Sequence, residues 1–333
     1  MRPRECIHIV INSRRRRCII HTARLGKAMR TVARVSSSFV TRVRSTTARR
    51  MTTAARAASA PAHTYVDTHC HLDMVLPRLE LSFEDWRASL DATAHEDGAT
   101  LDACITIGCS LKSLASTAEL SQKQGVYSAF GIHPLSAPEW DGAGVPERIE
   151  ALCADAKCVA VGETGLDYHR ISEDVDVEAY KATQRASFEA QMKLATRLDL
   201  PLIVHTREAE EDTLELMRAH LPRDARVHVH CFTSSLTLAQ ALLASFPKLC
   251  IGFTGVVSFK NGSDVRAVVA SVPLDRILLE TDSPYMAPTP YRGQVCHPGM
   301  IPRIAEAIAS THGVPVSDVY RASRENTRSV YGI

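Results

Sequence analysis

The sequence predicts an α/β fold, a (β/α)8 TIM barrel, and three observations support this class. The chain has 333 residues, of which 45% are apolar and 23% are charged, so it can bury a large core. After residue 60, short apolar segments alternate with longer helical segments, as in parallel βαβ units. The alternation occurs eight times in about 270 residues, which suits a (β/α)8 barrel. A doubly wound open sheet is the alternative, because alternation does not show that a sheet closes.

Each predicted strand is a short β-favouring apolar run that ends in polar residues or glycine. The eight strands are predicted at Thr64–His69, Leu101–Gly108, Val126–His133, Lys157–Glu163, Leu200–His205, Ala225–His230, Lys248–Thr254 and Arg276–Asp282. Helices are predicted between them, for example at Phe83–His95, Val177–Leu198 and Arg207–His220, and Ser317–Tyr331 is predicted to be the closing helix. No low-complexity linker interrupts residues 61–333, so we predict one domain there.

Residues 1–60 form a separate basic extension. Of the 39 basic and 37 acidic residues, 15 basic and one acidic lie there, which leaves 24 and 36 for the remainder, a net charge of −12. This Arg-, Ser- and Thr-rich composition is typical of a mitochondrial transit segment, which we predict to be disordered. The alternatives are a nucleic-acid-binding arm, or a translation start at Met29 or Met51 instead of Met1. Location is predicted to be mitochondrial if the segment is translated, and otherwise cytoplasmic or nuclear.

Histidines and carboxylates cluster at the predicted strand ends, where barrel enzymes carry their chemistry. Five of the 14 histidines fall there, although such positions cover roughly a tenth of the chain and chance would place one or two. The residues in question are His69, His71, His133, His205 and His230, with Glu163 and Asp282 at two further ends. This distribution predicts a metal site. His228 lies two residues before His230 and is predicted to pack inside the barrel instead.

Four imidazoles and two carboxylates are too many ligands for one tetrahedral zinc. They suit two divalent cations that share a bridging carboxylate. Glu163 stands alone on its strand between the two histidine groups, so it is the natural bridge. Two dications less two carboxylates leave a charge of +2, which favours an anionic substrate such as a phosphodiester. A carbonyl polarised by the metals fits the same charge.

Six segments, in this order and spacing, resemble the TatD family of metal-dependent deoxyribonucleases. They are VDTHCHLD, GIHP, VGETGLDYH, IVHTREA, HVHCFTS and LLETDSPYMAP, and the resemblance covers Tyr65 to Gly332. It implies a barrel of the metal-dependent hydrolase type with a two-metal centre that takes Mg²⁺, Mn²⁺ or Zn²⁺. It also implies 3′→5′ exonuclease activity on DNA.

The resemblance also implies a role for individual residues. One metal would bind His69, His71 and Asp282, the other would bind His205 and His230, and Glu163 would touch both. His133 would lie near the substrate phosphate. We predict Asp282, Glu163 and His133 as catalytic residues, with Asp282 orienting the attacking hydroxide. His133 and Arg207 are predicted to bind substrate, although Arg207 has a competing interpretation as a partner of Glu208 or Glu211.

The acidic body cannot hold a duplex on a broad basic face, so we predict a preference for single-stranded ends. Local contacts are predicted from Lys260 and Arg292. Base stacking is predicted from one or more of Phe232, Phe253, Tyr285 and Tyr291, each of which has core or rim packing as its alternative. No run approaches the ~18 apolar residues of a membrane span, and neither membrane contact nor a stable protein partner is predicted.

Two alternatives remain for the activity. A related metallohydrolase would cleave an ester or amide, as in D-aminoacyl-tRNA deacylation. A non-catalytic scaffold predicts a damaged ligand set, whereas all six ligand positions are intact here. The chain departs from the family before Pro298, where Cys296 and His297 replace a common Asn/Glu pair, and this departure places contacts at the substrate's edge in doubt.

Overall fold

Eight parallel strands form one sheet in the order β1 to β8 in this computed structural model, which describes residues 63–92, 97–172 and 174–333. The strands are β1 Thr64–Cys70, β2 Thr100–Gly108, β3 Val126–Phe130, β4 Cys158–Asp167, β5 Leu202–Arg207, β6 Val227–Val229, β7 Leu249–Phe253 and β8 Ile277–Leu279. Every one overlaps a predicted strand. The predictions made for residues 1–60 lie outside the described residues, and the domain boundary at residue 60 stays a prediction.

Helices alternate with the strands on the outside of the sheet. They are α1 Leu72–Leu79, α2 Phe83–Ala92, α3 Leu114–Ser121, α4 Val145–Cys153, α5 Val177–Leu198, α6 Glu210–His220, α7 Leu236–Ser245, α8 Ser263–Ser271, α9 Ile301–His312 and α10 Val316–Tyr331. The helix predicted from Arg207 begins three residues later, because Arg207 still belongs to β5. Within the described ranges, no helix has the length and apolar character needed to cross a bilayer.

The sheet closes between its first and last strands. Cys70 and Ser283 form a parallel bridge, and the Ser283 carbonyl accepts a hydrogen bond from the His71 N–H at 2.9 Å. The Asp282 N–H donates to the His69 carbonyl, also at 2.9 Å. These contacts exclude the open sheet and confirm the (β/α)8 barrel. Three predicted metal ligands, His69, His71 and Asp282, thus contribute backbone groups to the seam, which is the junction between the first and last strands.

The apolar core has two layers. One lies between the strands and the surrounding helices, and the other fills the barrel with residues such as Ile105, Ala160 and Ile203. Tyr331, at the end of α10, packs into this inner layer, where its hydroxyl lies 2.6 Å from Nδ1 of the fully buried His228. His228 therefore packs inside the barrel, as expected from the sequence.

Candidate metal centre

Glu163 lies at the centre of a cluster that contains all six predicted ligand residues. Its Oε2 is 3.4 Å from His69 Nε2 and 4.0 Å from His71 Nε2. Its Oε1 is 2.7 Å from His230 Nε2 and 3.0 Å from His205 Nδ1. The two carboxylate oxygens thus face two different pairs of imidazoles, which is the arrangement expected of a bridging carboxylate.

Asp282 completes the cluster from the far side of the seam. Its Oδ1 is 3.5 Å from His71 Nε2 and 3.7 Å from His69 Nε2. Three groups of possible ligand atoms lie within 4.8 Å of one another, and they overlap: His69, His230 and Asp282; His69, His71 and Glu163; His133, Glu163 and His205. Because His69 and Glu163 each occur in two groups, the division of ligands between two ions stays a prediction.

Two β-bulges aim His69 and Glu163 into the barrel mouth. In the β4–β5 pairing, Gly162 and Glu163 together oppose the single residue Ile203. In the β1–β2 pairing, Thr68 and His69 together oppose one residue of β2 in the same way. A bulge turns the strand locally and re-aims a side chain. Simple alternation along an unbroken strand therefore does not describe how these two ligands reach the site.

The glycines of the Gly-Glu-Thr-Gly segment allow the close approach of β4 to β5. Gly165 has a φ of +142°, and a Cβ there would lie 2.0 Å from the His205 carbonyl oxygen. Gly162 has a φ of +135°, and its Cβ would lie 2.7 Å from the Ile203 carbonyl oxygen. Only glycine tolerates both this backbone conformation and this spacing. The motif is therefore a steric requirement of the position of Glu163.

The carboxylates of the cluster are ionised. Burial alone would raise the pKa of Glu163, but the surrounding imidazoles, His230 first among them, hold that pKa well below its usual value. The pKa of Asp282 is lowered as well, because its hydrogen bond with His71 outweighs its burial. In return, and against the effect of burial, Asp282 raises the pKa of His71 to about 9, and neighbouring carboxylates raise that of His205 to about 9. Buried carboxylates in this state require positive charge beside them.

His69 is in the neutral state that a metal ligand needs. His69 is fully buried, and burial lowers its pKa to about 3, so its ring is neutral near pH 7. Both of its ring nitrogens and Nδ1 of His230 are buried and lack a hydrogen bond of acceptable geometry to any described residue. Orphaned nitrogens next to ionised carboxylates are the chemistry of a divalent metal site, so the residues present fit metal ions.

Asp167 is a functional candidate that the sequence analysis did not assign. Its Oδ2 lies 3.3 Å from Nε2 of His205, while Nδ1 of the same ring faces Glu163. A carboxylate on the outer nitrogen fixes the orientation and tautomer of a ligand histidine. The sequence did contain a sign of this role, because Asp167 belongs to the VGETGLDYH segment that resembles the family and lies near the end of a predicted strand.

His133 occupies a different position from the other histidines. β3 ends at Phe130, earlier than predicted, and His133 begins the 3₁₀ helix Pro134–Asp141. Its Nδ1 accepts a hydrogen bond from the Leu135 N–H at 3.1 Å, so the proton of the neutral ring is on Nε2, 3.4 Å from Glu163 Oε1. Burial lowers the pKa of His133 and keeps the ring neutral. It therefore presents a hydrogen-bond donor to the site.

A cavity of about 770 Å³ opens above the cluster. Two cationic side chains line it, Arg207 at the end of β5 and Lys112 just before α3. Glu208 and Glu211 are the predicted competitors for Arg207. Glu208 instead lies 2.5 Å from Nδ1 of His169, and no carboxylate in the described ranges, Glu211 included, pairs with Arg207 or Lys112 at ion-pair distance. Both cations are therefore open to an anionic ligand.

Other predicted contacts lie away from this cavity. Arg292 stacks over the Phe259 ring at 3.6 Å, and neither Arg292 nor Lys260 lines the cavity. Cys296 is fully buried, and His297 lines a separate cavity of about 200 Å³. The departure from the family before Pro298 thus lies outside the main cavity.

The fold and the ligand cluster define a class, the (β/α)8 hydrolases that depend on divalent metals. Within that class the chain belongs to the TatD-related DNase family, whose sequence model matches residues 66–332. This confirms the family resemblance.

Two relatives and one solved structure illustrate the similarity. The human protein named 3′-5′ RNA nuclease TATDN2 is 34% identical over 81% of this chain, but the match spans only 35% of that protein. The Escherichia coli protein named uncharacterized metal-dependent hydrolase YcfH is 34% identical over 80% of this chain and 96% of its own length. The crystal structure of the TatD homolog YJJV from Escherichia coli superposes with a TM-score of 0.65 at 28% identity, covering 81% and 98% of the two chains.

Proposed function

We propose that this protein hydrolyses phosphodiester bonds of DNA and removes nucleotides from single-stranded 3′ ends. The observation that carries this proposal is Glu163, whose two oxygens face separate imidazole pairs. The cavity above it is lined by Lys112 and Arg207, and neither has a carboxylate at ion-pair distance among the described residues. One human relative is named an RNA nuclease, so RNA is the direct competitor as substrate.

The cluster would hold two divalent ions through His69, His71, His205, His230, Glu163 and Asp282. When bound, such ions activate water and offset the charge that develops on phosphoryl oxygens. The ion is proposed to be Mg²⁺, Mn²⁺ or Zn²⁺.

The protein's own groups bind and orient the substrate. His133 donates its Nε2 proton to a phosphoryl oxygen, because its Nδ1 is already occupied by the Leu135 N–H. Arg207 binds a phosphate, since it lines the cavity and no carboxylate of the described residues lies within ion-pair distance of it. Asp282 is ionised, lines the cavity and lies 3.7 Å from His69 Nε2, so it is the carboxylate proposed to orient the attacking water and accept its proton.

The Glu163→Gln variant tests the bridging role. It keeps the size of the side chain but removes the charge that both imidazole pairs face, so we expect loss of at least one metal equivalent and a fall in turnover of at least about 100-fold. Metal content is measured by mass spectrometry, and turnover on end-labelled single-stranded DNA and RNA of the same sequence. Glu208→Gln, on the surface beside His169, is the matched control and should keep both metals. A fully active Glu163→Gln protein would refute the role.

The substrate comparison also tests the rival activity. The same preparation is assayed for ester cleavage of a D-aminoacyl-tRNA. Ester cleavage without nucleotide release from either nucleic acid would replace the proposed nuclease function by the deacylase alternative.

A further inference from the structure

Tyr285 is an exposed aromatic side chain at the rim of the metal-site cavity. Tyr285 is 46% exposed, and it lines the same cavity as Lys112 and Arg207. The other three aromatic candidates are placed differently: Phe232 is 2% exposed, Phe253 is 0% exposed, and Tyr291 lines the separate smaller cavity. Only Tyr285 of these four is therefore available to a ligand of the metal site.

Tyr285 is tied to the metal centre through its own backbone. Its N–H donates to the carbonyl of Asp282 at 3.2 Å, so a single turn separates the ring from a proposed metal ligand. The guanidinium of Arg78, in the last turn of α1, lies 5.1 Å from the centroid of the Tyr285 ring. A cation at this distance contributes a favourable cation–π contact and helps to hold the ring.

The cavity rim combines aromatic, apolar and cationic groups. Leu135 is 58% exposed and lines the cavity together with Tyr285. The cations Lys112 and Arg207 line the same cavity. A single-stranded nucleic acid alternates phosphates with flat apolar bases, and its binding sites combine cations with stacking rings. A purely apolar ligand would leave these two cations unpaired, and a small phosphodiester would leave the exposed ring unused.

We infer that Tyr285, held by Arg78, is the stacking platform for one nucleobase of a single-stranded nucleic acid whose phosphodiester lies at the metal centre. This inference rests on the proposed function, because it assumes that the cavity admits a nucleic acid. It makes Tyr285 a specificity-determining residue that distinguishes nucleotides from phosphodiesters without a base. Lys112 is assigned to a phosphate that flanks the scissile one.

The test measures base recognition separately from hydrolysis. Short oligonucleotides carry either 2-aminopurine or an abasic residue at the 3′ end or the 5′ end, and their binding to the metal-free protein is measured at low ionic strength. The paired probes carry the same phosphates, so the repulsion from the carboxylates cancels in the ratio of their Kd values. We expect the base-containing probe to bind about 5- to 100-fold more tightly at one end, with quenching of 2-aminopurine fluorescence.

Three variants locate the effect. Tyr285→Ala should abolish the quenching and bring the Kd ratio close to one, whereas Tyr285→Phe should retain both because the ring remains. Tyr291→Ala is the matched control, and its ratio should equal that of the unaltered protein. The inference is overturned if the unaltered protein shows no preference for the base, or if Tyr285→Ala keeps the full preference. The first of these two outcomes is measured on the unaltered protein, so it does not depend on whether a variant folds.

Hydrolysis is then assayed on the same probes with each metal. Stacking contributes equally before and during the reaction, so Tyr285→Ala should raise KM for the intact end more than for the abasic end. Failure of the unaltered protein to hydrolyse any probe, with base recognition intact, would overturn the proposed function and leave the platform standing.

Discussion

At the scale of single residues, the position of each imidazole proton decides what that ring can do. His133 has Nδ1 engaged by a backbone N–H, so it offers a donor. His205 has its outer nitrogen on Asp167, so its inner nitrogen faces Glu163. Two histidines of the same cavity thus have different chemistry. The residue types alone indicated a site, but the Leu135 N–H and Asp167 determine which ring nitrogen of each histidine faces the cluster.

His297 gives a pH-dependent prediction away from the metal centre. Its Nδ1 accepts from the Gly299 N–H at 3.2 Å, and burial lowers its pKa to about 4. A histidine whose pKa is lower in the folded than in the unfolded state stabilises the fold above about pH 6.5, and this stability is lost as the pH falls toward 4. His297→Asn keeps an acceptor but does not titrate. Between pH 7 and pH 5 we expect the unaltered protein to lose about 2 kcal/mol more unfolding free energy than the variant, measured by urea denaturation. Equal losses in the two proteins would contradict this.

At the scale of elements, α5 clamps the strand ends that carry site residues. Gln191 is fully buried and makes two hydrogen bonds to Ile132, accepting from its N–H at 2.7 Å and donating to its carbonyl at 3.0 Å. Gln184, two turns earlier, makes the same pair of bonds to Asp167 at 2.8 and 3.0 Å. One face of this helix therefore fixes the backbone next to His133 and at Asp167. A buried glutamine gives no such signal in a sequence.

Replacing Gln191 should destabilise the fold and disturb substrate binding. Gln191→Leu leaves the N–H and the carbonyl of Ile132 buried without partners, at a cost of about 2–4 kcal/mol in unfolding free energy. The adjacent His133 loses its fixed position, so KM for single-stranded DNA should rise. Both are measured by urea denaturation and steady-state kinetics. Lys193→Leu, on the exposed side of the same helix, is the control and should change stability by less than about 0.5 kcal/mol. A Gln191→Leu protein as stable as this control would contradict the clamp.

At the scale of the whole molecule, the site joins segments that are distant in sequence. Its proposed ligands lie in or just after β1, β4, β5, β6 and β8. The barrel closes between two of these strands, β1 and β8. Asp67, in β1, also links these two strand ends. Its Oδ1 accepts a hydrogen bond from the Thr281 N–H at 3.0 Å, and its Oδ2 accepts one from the Thr281 hydroxyl at 2.5 Å. Burial raises the pKa of this carboxyl to about 8. The backbone contacts that close the barrel therefore also bring His69, His71 and Asp282 together.

Metal binding should therefore stabilise the entire barrel. At a concentration 100 times the Kd, a bound ion adds about 2.7 kcal/mol, which raises the Tm of a domain of this size by about 5–10 °C. Differential scanning calorimetry with EDTA, Mg²⁺, Mn²⁺ or Zn²⁺ measures the shift. Glu163→Gln should show a smaller shift and Glu208→Gln the full one. The absence of a shift with all three ions would contradict the metal centre.

The sequence determined the eight βα units and the order in which imidazoles and carboxylates follow the strands, because apolar periodicity and strand-end residues are local properties. The tertiary structure decided the two bulges that aim His69 and Glu163, the pairing of Asp167 with His205, and the exposure of Tyr285 but not Phe232 or Phe253. Bulges and closure depend on the register between segments far apart in the chain, and exposure depends on what packs over each side chain. Neither property is contained in the local pattern.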